Sequence, residues 1–428
     1  MTATRPSDHD PNAGDAPGRD AIALRDAIEA RARELGFALV GVTRAAPSAH
    51  RDALERWIAA GKHGEMQWIA ERAAEACDVR TLLRNARTVI SVGDRYHDGR
   101  PDRVDAASAR GRIARYARGK DYHDVIRDRL RRLGRFIRER VPGCQTRLTG
   151  DIHPILEREQ AARALLGAIG KHTLLIRPGL GSYYLLGEII TDAEVAPSDR
   201  AGGGRGGFEV DRGLPVQDHG LPVQDRGLPV QDRGLPVQDR GLPVQDRGLP
   251  VQDRGHTDIC GGCTRCIDAC PTKAITPWSV DARRCTAYLT IEHRGAIAPE
   301  FFGATGDWWF GCDICQEVCP HAQPTRASRR AGTNPQLAPR LDSVDLLEVL
   351  GWTEQDRARL VVSSALKRAS LAMMKRNALL ALASIARRDS SLAMAVGVRA
   401  RDIAADESED PIVRAAAEAL MAARGGAG

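Results

Sequence analysis

Apolar positions along the chain switch between two periods. Leu24, Ile28 and Leu35 share one helical face that stops at Gly36, and the unbroken apolar run from Phe37 to Val42 then predicts a buried strand. Thr88 to Val92 predicts another. Tyr122, Ile126, Leu130, Leu133 and Ile137 recur at steps of four, four, three and four, while Arg127, Arg131, Arg135 and Arg138 lie largely off that stripe. The segment Asp121–Arg140 is therefore an amphipathic helix with a basic face. Helices set between buried strands give a layered α/β arrangement for residues 21–195. After Pro320 the pattern turns helical: Val344–Leu350, Leu366–Ala386 and Ile412–Ala423 supply apolar stripes between charged residues, with Asp410-Pro411 as a helix start. A C-terminal helical module of stacked pairs over 326–428 follows.

Two stretches lack either period. Residues 1–20 are rich in Asp, Pro, Gly and Ser and read as a disordered tail. From Gly213 the unit Gly-Leu-Pro-Val-Gln-Asp-Arg/His repeats, with Leu-Pro-Val-Gln-Asp beginning at Leu214, Leu221, Leu228, Leu235, Leu242 and Leu249. The period is seven, but a Pro and a Gly in each unit would break a helix every two turns, so this is no coiled coil. Residues 196–255 are expected to form a disordered, extruded insertion. Loop closure grows logarithmically, so lengthening a ~10-residue connection to ~60 costs only roughly 1.5 kcal/mol.

The chain's 428 residues suit two to four domains. Hydrophobic residues make up 43% and charged residues 28%, and no run approaches the ~18 apolar residues of a membrane span. The N-terminus has neither a basic start nor an apolar stretch of the secretory kind, so a cytoplasmic location is expected. Ten cysteines in a reducing compartment point to metal or redox work rather than disulfides. The net charge of +6 comes almost wholly from arginine, with six lysines among 62 basic residues. That excess permits a nucleic-acid partner without showing one.

The cysteines carry the strongest chemical signal. Cys260, Cys263, Cys266 and Cys270, followed by Pro271, have the spacing C-x-x-C-x-x-C-x-x-x-C-P of a two-cluster ferredoxin loop. Cys285 and then Cys312, Cys315 and Cys319, followed by Pro320, supply the reciprocal set. By the crossed logic of such loops, Cys260, Cys263, Cys266 and Cys319 hold one 4Fe-4S cluster, and Cys270, Cys285, Cys312 and Cys315 the other. Two four-cysteine zinc sites are the alternative. Cys77 and Cys144 have no such neighbours and are taken as packing residues. Two clusters form a one-electron wire, and the large domain ahead of them argues that the wire ends at an active site in the same chain.

The stretch Tyr116-Ala117-Arg118-Gly119-Lys120-Asp121-Tyr122-His123 resembles a signature of the epoxyqueuosine reductase family. Asp151-Ile152-His153-Pro154-Ile155-Leu156-Glu157-Arg158, Gly170-Lys171-His172-Thr173, Gly181–Glu188, Asp281–Cys285 and Gly311–Cys315 are similar to further family motifs in the same order. The likeness spans about 21–195 and 256–420. It departs from the family pattern at Ala76, Gly150, Ala168 and Asp307-Trp308-Trp309.

The resemblance implies an α+β chain: an α/β cobalamin-binding reductase domain at 21–195, a ferredoxin-like domain with two 4Fe-4S clusters at 256–325, and a HEAT-like helical domain at 326–428. It implies a cytoplasmic, monomeric enzyme that reduces epoxyqueuosine to queuosine at the wobble position of tRNA, fed by an electron donor. Asp151 matches the family's proton donor, held protonated by burial among Ile152, Pro154, Ile155 and Leu156. Ala287, Cys312 and Asp313 match positions near the corrinoid, and Arg158 and Lys171 are cations placed to meet cofactor, substrate or RNA phosphate. The chain itself shows no complete corrinoid motif, since Asp151-Ile152-His153 begins like D-x-H-x-x-G but has Leu156 where glycine belongs. A corrinoid reductase of small molecules, such as a reductive dehalogenase, and a two-cluster electron-transfer protein are the competing readings.

Overall fold

The computed structural model describes residues 18–102, 109–198 and 258–425. The Leu-Pro-Val-Gln-Asp repeat and nearly all of the predicted tail lie outside these residues. The architecture is α+β.

The N-terminal part is built on a four-stranded sheet of β1 (Leu39–Arg44), β2 (Thr88–Arg95), β3 (Thr146–Thr149) and β4 (Tyr184–Thr191), in the order β1-β2-β4-β3. Every neighbouring pair is antiparallel. The first strand runs two residues later than the apolar pattern predicts, because Phe37 is spent in the turn after helix α1 (Arg19–Glu34), where its N–H bonds back to Ala32.

Helix α2 (Tyr122–Arg140) starts at Asp121, whose carboxylate accepts the His123 N–H. Its stripe of Ile126, Leu130, Leu133 and Ile137 packs with Ile28 of α1 onto Val42, Ile90 and Ile189 of the sheet. Arg127, Arg131, Arg135 and Arg138 are exposed, as the period requires. The opposite sheet face carries the short helix α3 (Glu157–Arg163). Leu133 is wholly buried at the centre of the first face. Leu133→Ala should therefore cost about 2–5 kcal/mol, checked by urea unfolding followed by circular dichroism.

The segments of the chain interlock. Arg110–Ile113 forms the centre of a second sheet, pairing in parallel with Trp308–Phe310 and antiparallel with Ser343–Asp345. The helical pattern expected from Val344 onward thus begins as a strand, since Val344 pairs with Gly111 before the short helix Leu346–Val349. Beyond it α4 (Leu371–Arg388), α5 (Ser390–Ala405) and α6 (Pro411–Gly425) pack on one another. Wholly buried Arg376 of α4 donates to the carbonyls of Leu289, His293 and Gly295, tying this bundle to the cysteine-rich region. Cys77 is buried and Cys144 packs against the main core, as packing residues do.

Candidate active site and cluster-binding residues

Asp151 follows β3, where the chain turns toward α3. Its carboxylate accepts a hydrogen bond from the Tyr122 hydroxyl, and His123 Nε2 stands 3.1 Å from Oδ1. The Tyr122 and His123 rings stack with centroids 4.1 Å apart. His123 Nδ1 in turn sits 2.7 Å from the fully buried carboxylate of Asp121, which meets Lys367 Nζ at 2.5 Å. A continuous charged chain therefore runs from Lys367 through Asp121 and His123 to Asp151. Helix α2 builds it, because its N-cap and first two residues present Asp121, Tyr122 and His123 together.

The charges follow from these contacts. Burial works against a cationic His123, but the carboxylates of Asp121 and Asp151 on its two nitrogens outweigh it and push its pKa up to about 9. Desolvation would raise the Asp151 pKa, yet the hydrogen bonds from His123 and Tyr122 prevail and hold it below the ordinary carboxylate range. At neutral pH the pair is a carboxylate beside an imidazolium.

This corrects the expectation that burial keeps Asp151 protonated. Its side chain is 38% exposed, and neighbouring Ile152 is 64% exposed instead of covering it. Burial falls on other acids. Glu188 of β4 is wholly buried, lies opposite Ser91 and Thr149 in the sheet, and has its pKa pushed well up by desolvation. Glu157, at the start of α3, is raised to about 7, first by desolvation and then by the charge of Asp151. The proton near Asp151 therefore resides on its neighbours.

A folded pKa raised from about 6.5 to about 9 places the His123 contribution below the lower value and removes it as pH rises through the upper. Activity should accordingly fall on an alkaline limb near pH 9, and His123→Gln should abolish that limb while raising the Asp151 pKa, both read from pH-rate profiles.

Cys319 packs in one apolar cluster with Cys260, and Cys270 in another with Cys285 and Cys315, while Cys315 also lies within electrostatic reach of Cys266. Cys319 lies within electrostatic reach of Cys260 and Cys266, and Cys266 of Cys260 and Cys263. Cys285 feels Cys270, and Cys312 feels Cys315 and Cys285. Each cysteine before a proline thus approaches the set of the other loop, as crossed ligation requires. Burial raises the thiol pKa of Cys285, Cys312, Cys315 and Cys319, so a cationic metal centre must offset the cost of their thiolates.

Tyr116 is half-buried beside Tyr122. It meets Tyr122 edge-on at 6.0 Å, and both Asp313 and Asp151 act electrostatically on its hydroxyl. Asp313 itself is 1% exposed and accepts the Arg115 N–H at 2.8 Å, with the guanidinium at 3.4 Å. It is locked into the protein by Arg115. Cys312 and Ala287 are half-buried.

Arg158 and Lys171 are also engaged within the protein. Arg158 donates to the Thr173 carbonyl at 2.7 Å, and Lys171 Nζ donates to the carbonyls of Gly261 and Cys263 at 2.6 and 3.0 Å. Both therefore hold the Gly170–Thr173 loop, Lys171 from a buried position and Arg158 from an exposed one. Sequence reasoning missed the role of Lys367, and it quoted Tyr116 and Glu188 only within motifs, without roles. It quoted Asp121, Tyr122, His123 and Glu157 within motifs but gave them no roles. The only available signal was an Asp-x-His pair at a predicted helix start.

The family described as 4Fe-4S double cluster binding domain matches residues 259–322, and that described as Epoxyqueuosine reductase QueG, DUF1730, matches residues 77–151. An epoxyqueuosine reductase of Synechococcus sp. (strain RCC307) is 34% identical over 364 residues, covering 83% of this chain and 92% of that protein. One of Pseudomonas aeruginosa is 33% identical over 361 residues, covering 84% of each. Among solved structures, an epoxyqueuosine reductase with an epoxyqueuosine-modified tRNA-Tyr stem loop superposes with a TM-score of 0.69 at 23% identity, covering 93% of this chain and 89% of that one. The Bacillus subtilis enzyme, with its catalytic aspartate loop swung out of the active site, gives 0.69 at 22% identity over 94% and 90%. These structures share the fold, and the relatives' identity over most of their length shows that the chain belongs to the epoxyqueuosine reductase family.

Proposed function

We propose that this protein reduces epoxyqueuosine to queuosine in tRNA, with Asp151 as the proton donor to the departing oxygen. The observation that carries this is Asp151 itself: an exposed carboxylate, gripped by Tyr122 and a cationic His123, in a chain that also carries a match to a 4Fe-4S double cluster binding domain. Removing an epoxide oxygen as water and leaving a carbon–carbon double bond takes two electrons and two protons.

Two 4Fe-4S clusters, when bound to Cys260, Cys263, Cys266 and Cys319 and to Cys270, Cys285, Cys312 and Cys315, supply electrons singly. Cobalamin, when bound, supplies the low-valent cobalt of the family's chemistry. The surface beside Asp151 is open and partly apolar, which is compatible with a group bound there. Ile152 is an uncovered apolar side chain, and a methyl group built on Gly150 would meet nothing within 4 Å. Ala287, Cys312 and Asp313 would lie near that cofactor.

The protein's own residues handle the protons. Tyr122 orients the Asp151 carboxylate, His123 and Glu157 hold protons that can pass to it, and Asp121 with Lys367 keeps the imidazole aligned. The exposed arginines of α2 are assigned to RNA phosphate, where attraction falls with added salt. Among the described residues no helix is long and apolar enough to cross a membrane. A cytoplasmic monomer reduced by a separate electron donor completes the proposal.

The test is a mass spectrum of nucleosides from cells lacking the protein. Accumulated epoxyqueuosine is expected, and queuosine at its usual level would contradict the assignment.

A further inference from the structure

The loop Gly170–Thr173 lies between the paired strands Ala168–Ile169 and Leu175–Ile176, in the same part of the chain as Asp151, yet Lys171 within it contacts the first cysteine loop. Lys171 is 8% exposed. Its ammonium donates to the carbonyls of Gly261 and Cys263, while its backbone N–H points at Cys260 Sγ from 3.5 Å. Trp278 covers it from another side, with its ring centroid 5.7 Å from Nζ and its own N–H bonded to the Lys171 carbonyl at 3.0 Å. Among the described residues no carboxylate forms an ion pair with Lys171. Asp258 is the opposing charge nearby, but it is exposed and turned to the N–H groups of Cys260 and Gly261.

A cluster gains negative charge on reduction. A fixed cation beside it and an N–H aimed at a ligand sulfur both stabilise the reduced form. The low dielectric around a buried ammonium makes its charge count for more than it would in water. Gly261 and Gly262 are exposed and Cys260 and Cys263 are half-buried, so this loop opens one side of the first cluster to an outside donor, while Cys266 and Cys319 of the same set are buried.

We propose that Lys171 sets the reduction potential of the cluster held by Cys260, Cys263, Cys266 and Cys319, making it the readier acceptor of electrons entering from outside. The inference rests on the ligand assignment made above. It makes Lys171 a positioning and tuning residue supplied by one part of the chain to the cofactor of another.

Lys171→Gln and Lys171→Arg should be prepared without oxygen as full-length chains and compared with wild type by iron analysis and by redox titration followed by electron paramagnetic resonance. The Gln variant keeps an amide donor for the loop carbonyls and loses the charge. With full iron retained, it should bind the electron at this cluster roughly tenfold more weakly, about 59 mV more negative for a one-electron couple, and the Arg variant should restore most of the shift. The other cluster should titrate as in wild type. A wild-type potential in the Gln variant would overturn the proposal. Loss of the first cluster from that variant would also overturn it, reducing Lys171 to a structural clamp. Wild-type protein with fewer than two clusters would instead contradict the ligand assignment itself.

Discussion

Asp151→Asn is expected to abolish turnover while leaving both clusters bound. The asparagine oxygen still accepts from Tyr122 and the side chain keeps its volume, so the pocket should survive. What disappears is the carboxylate that takes up a proton from His123 or Glu157 and passes it to the departing oxygen, together with the partner of the His123 imidazolium. Loss of a positioned general acid typically costs about 10²–10⁴-fold. The measurement is conversion of epoxyqueuosine-containing tRNA under single-turnover conditions, with iron and cobalamin content determined on the same sample. A rate within tenfold of wild type would remove Asp151 from the mechanism. Asp151→Ala should lose as much activity, and by freeing Tyr122 and His123 it should also return the His123 pKa toward its ordinary value.

The second large effect separates crossed from sequential ligation. Cys319 follows Cys312 and Cys315 closely in the chain, yet it packs in one apolar cluster with Cys260 and lies within electrostatic reach of Cys266. Cys319→Ser and Cys260→Ser should therefore damage the same cluster and leave the same residual paramagnetic signal. Cys270→Ser should resemble Cys285→Ser. Iron should fall from about eight toward about four per chain in each single variant. If Cys319→Ser instead matched Cys312→Ser, the ligand sets would follow chain order and the crossed assignment would fail.

Much of this site is legible in the chain because its chemistry is local in sequence. The cysteine spacings and their trailing prolines announce two clusters, since a loop that wraps a cube must place its ligands at short, fixed intervals. The α2 stripe is equally plain, because Ile126, Leu130, Leu133 and Ile137 must share one face to be buried. What escaped depends on contacts across long separations. Lys367 reaches Asp121 over 246 residues, and Lys171 reaches Gly261 over 90. Nothing in a motif tells whether a lysine will meet a phosphate or a backbone carbonyl.

The protonation of Asp151 escaped for a related reason. Its apolar neighbours in sequence suggested a buried carboxyl, but the turn after Gly150 sends Ile152 outward, and the decisive neighbours are Tyr122 and His123 on another element. The strand at Ser343–Asp345 was hidden in the same way, since three residues carry no period of their own and pair only because Arg110–Ile113 offers an edge.

The most direct test is anaerobic turnover by the purified chain. Reconstituted with iron, sulfide and cobalamin and supplied with a low-potential reductant, it should convert epoxyqueuosine in tRNA to queuosine, dependent on both cofactors. Unchanged epoxyqueuosine in a sample shown to contain about eight irons and one cobalamin per chain would contradict the account.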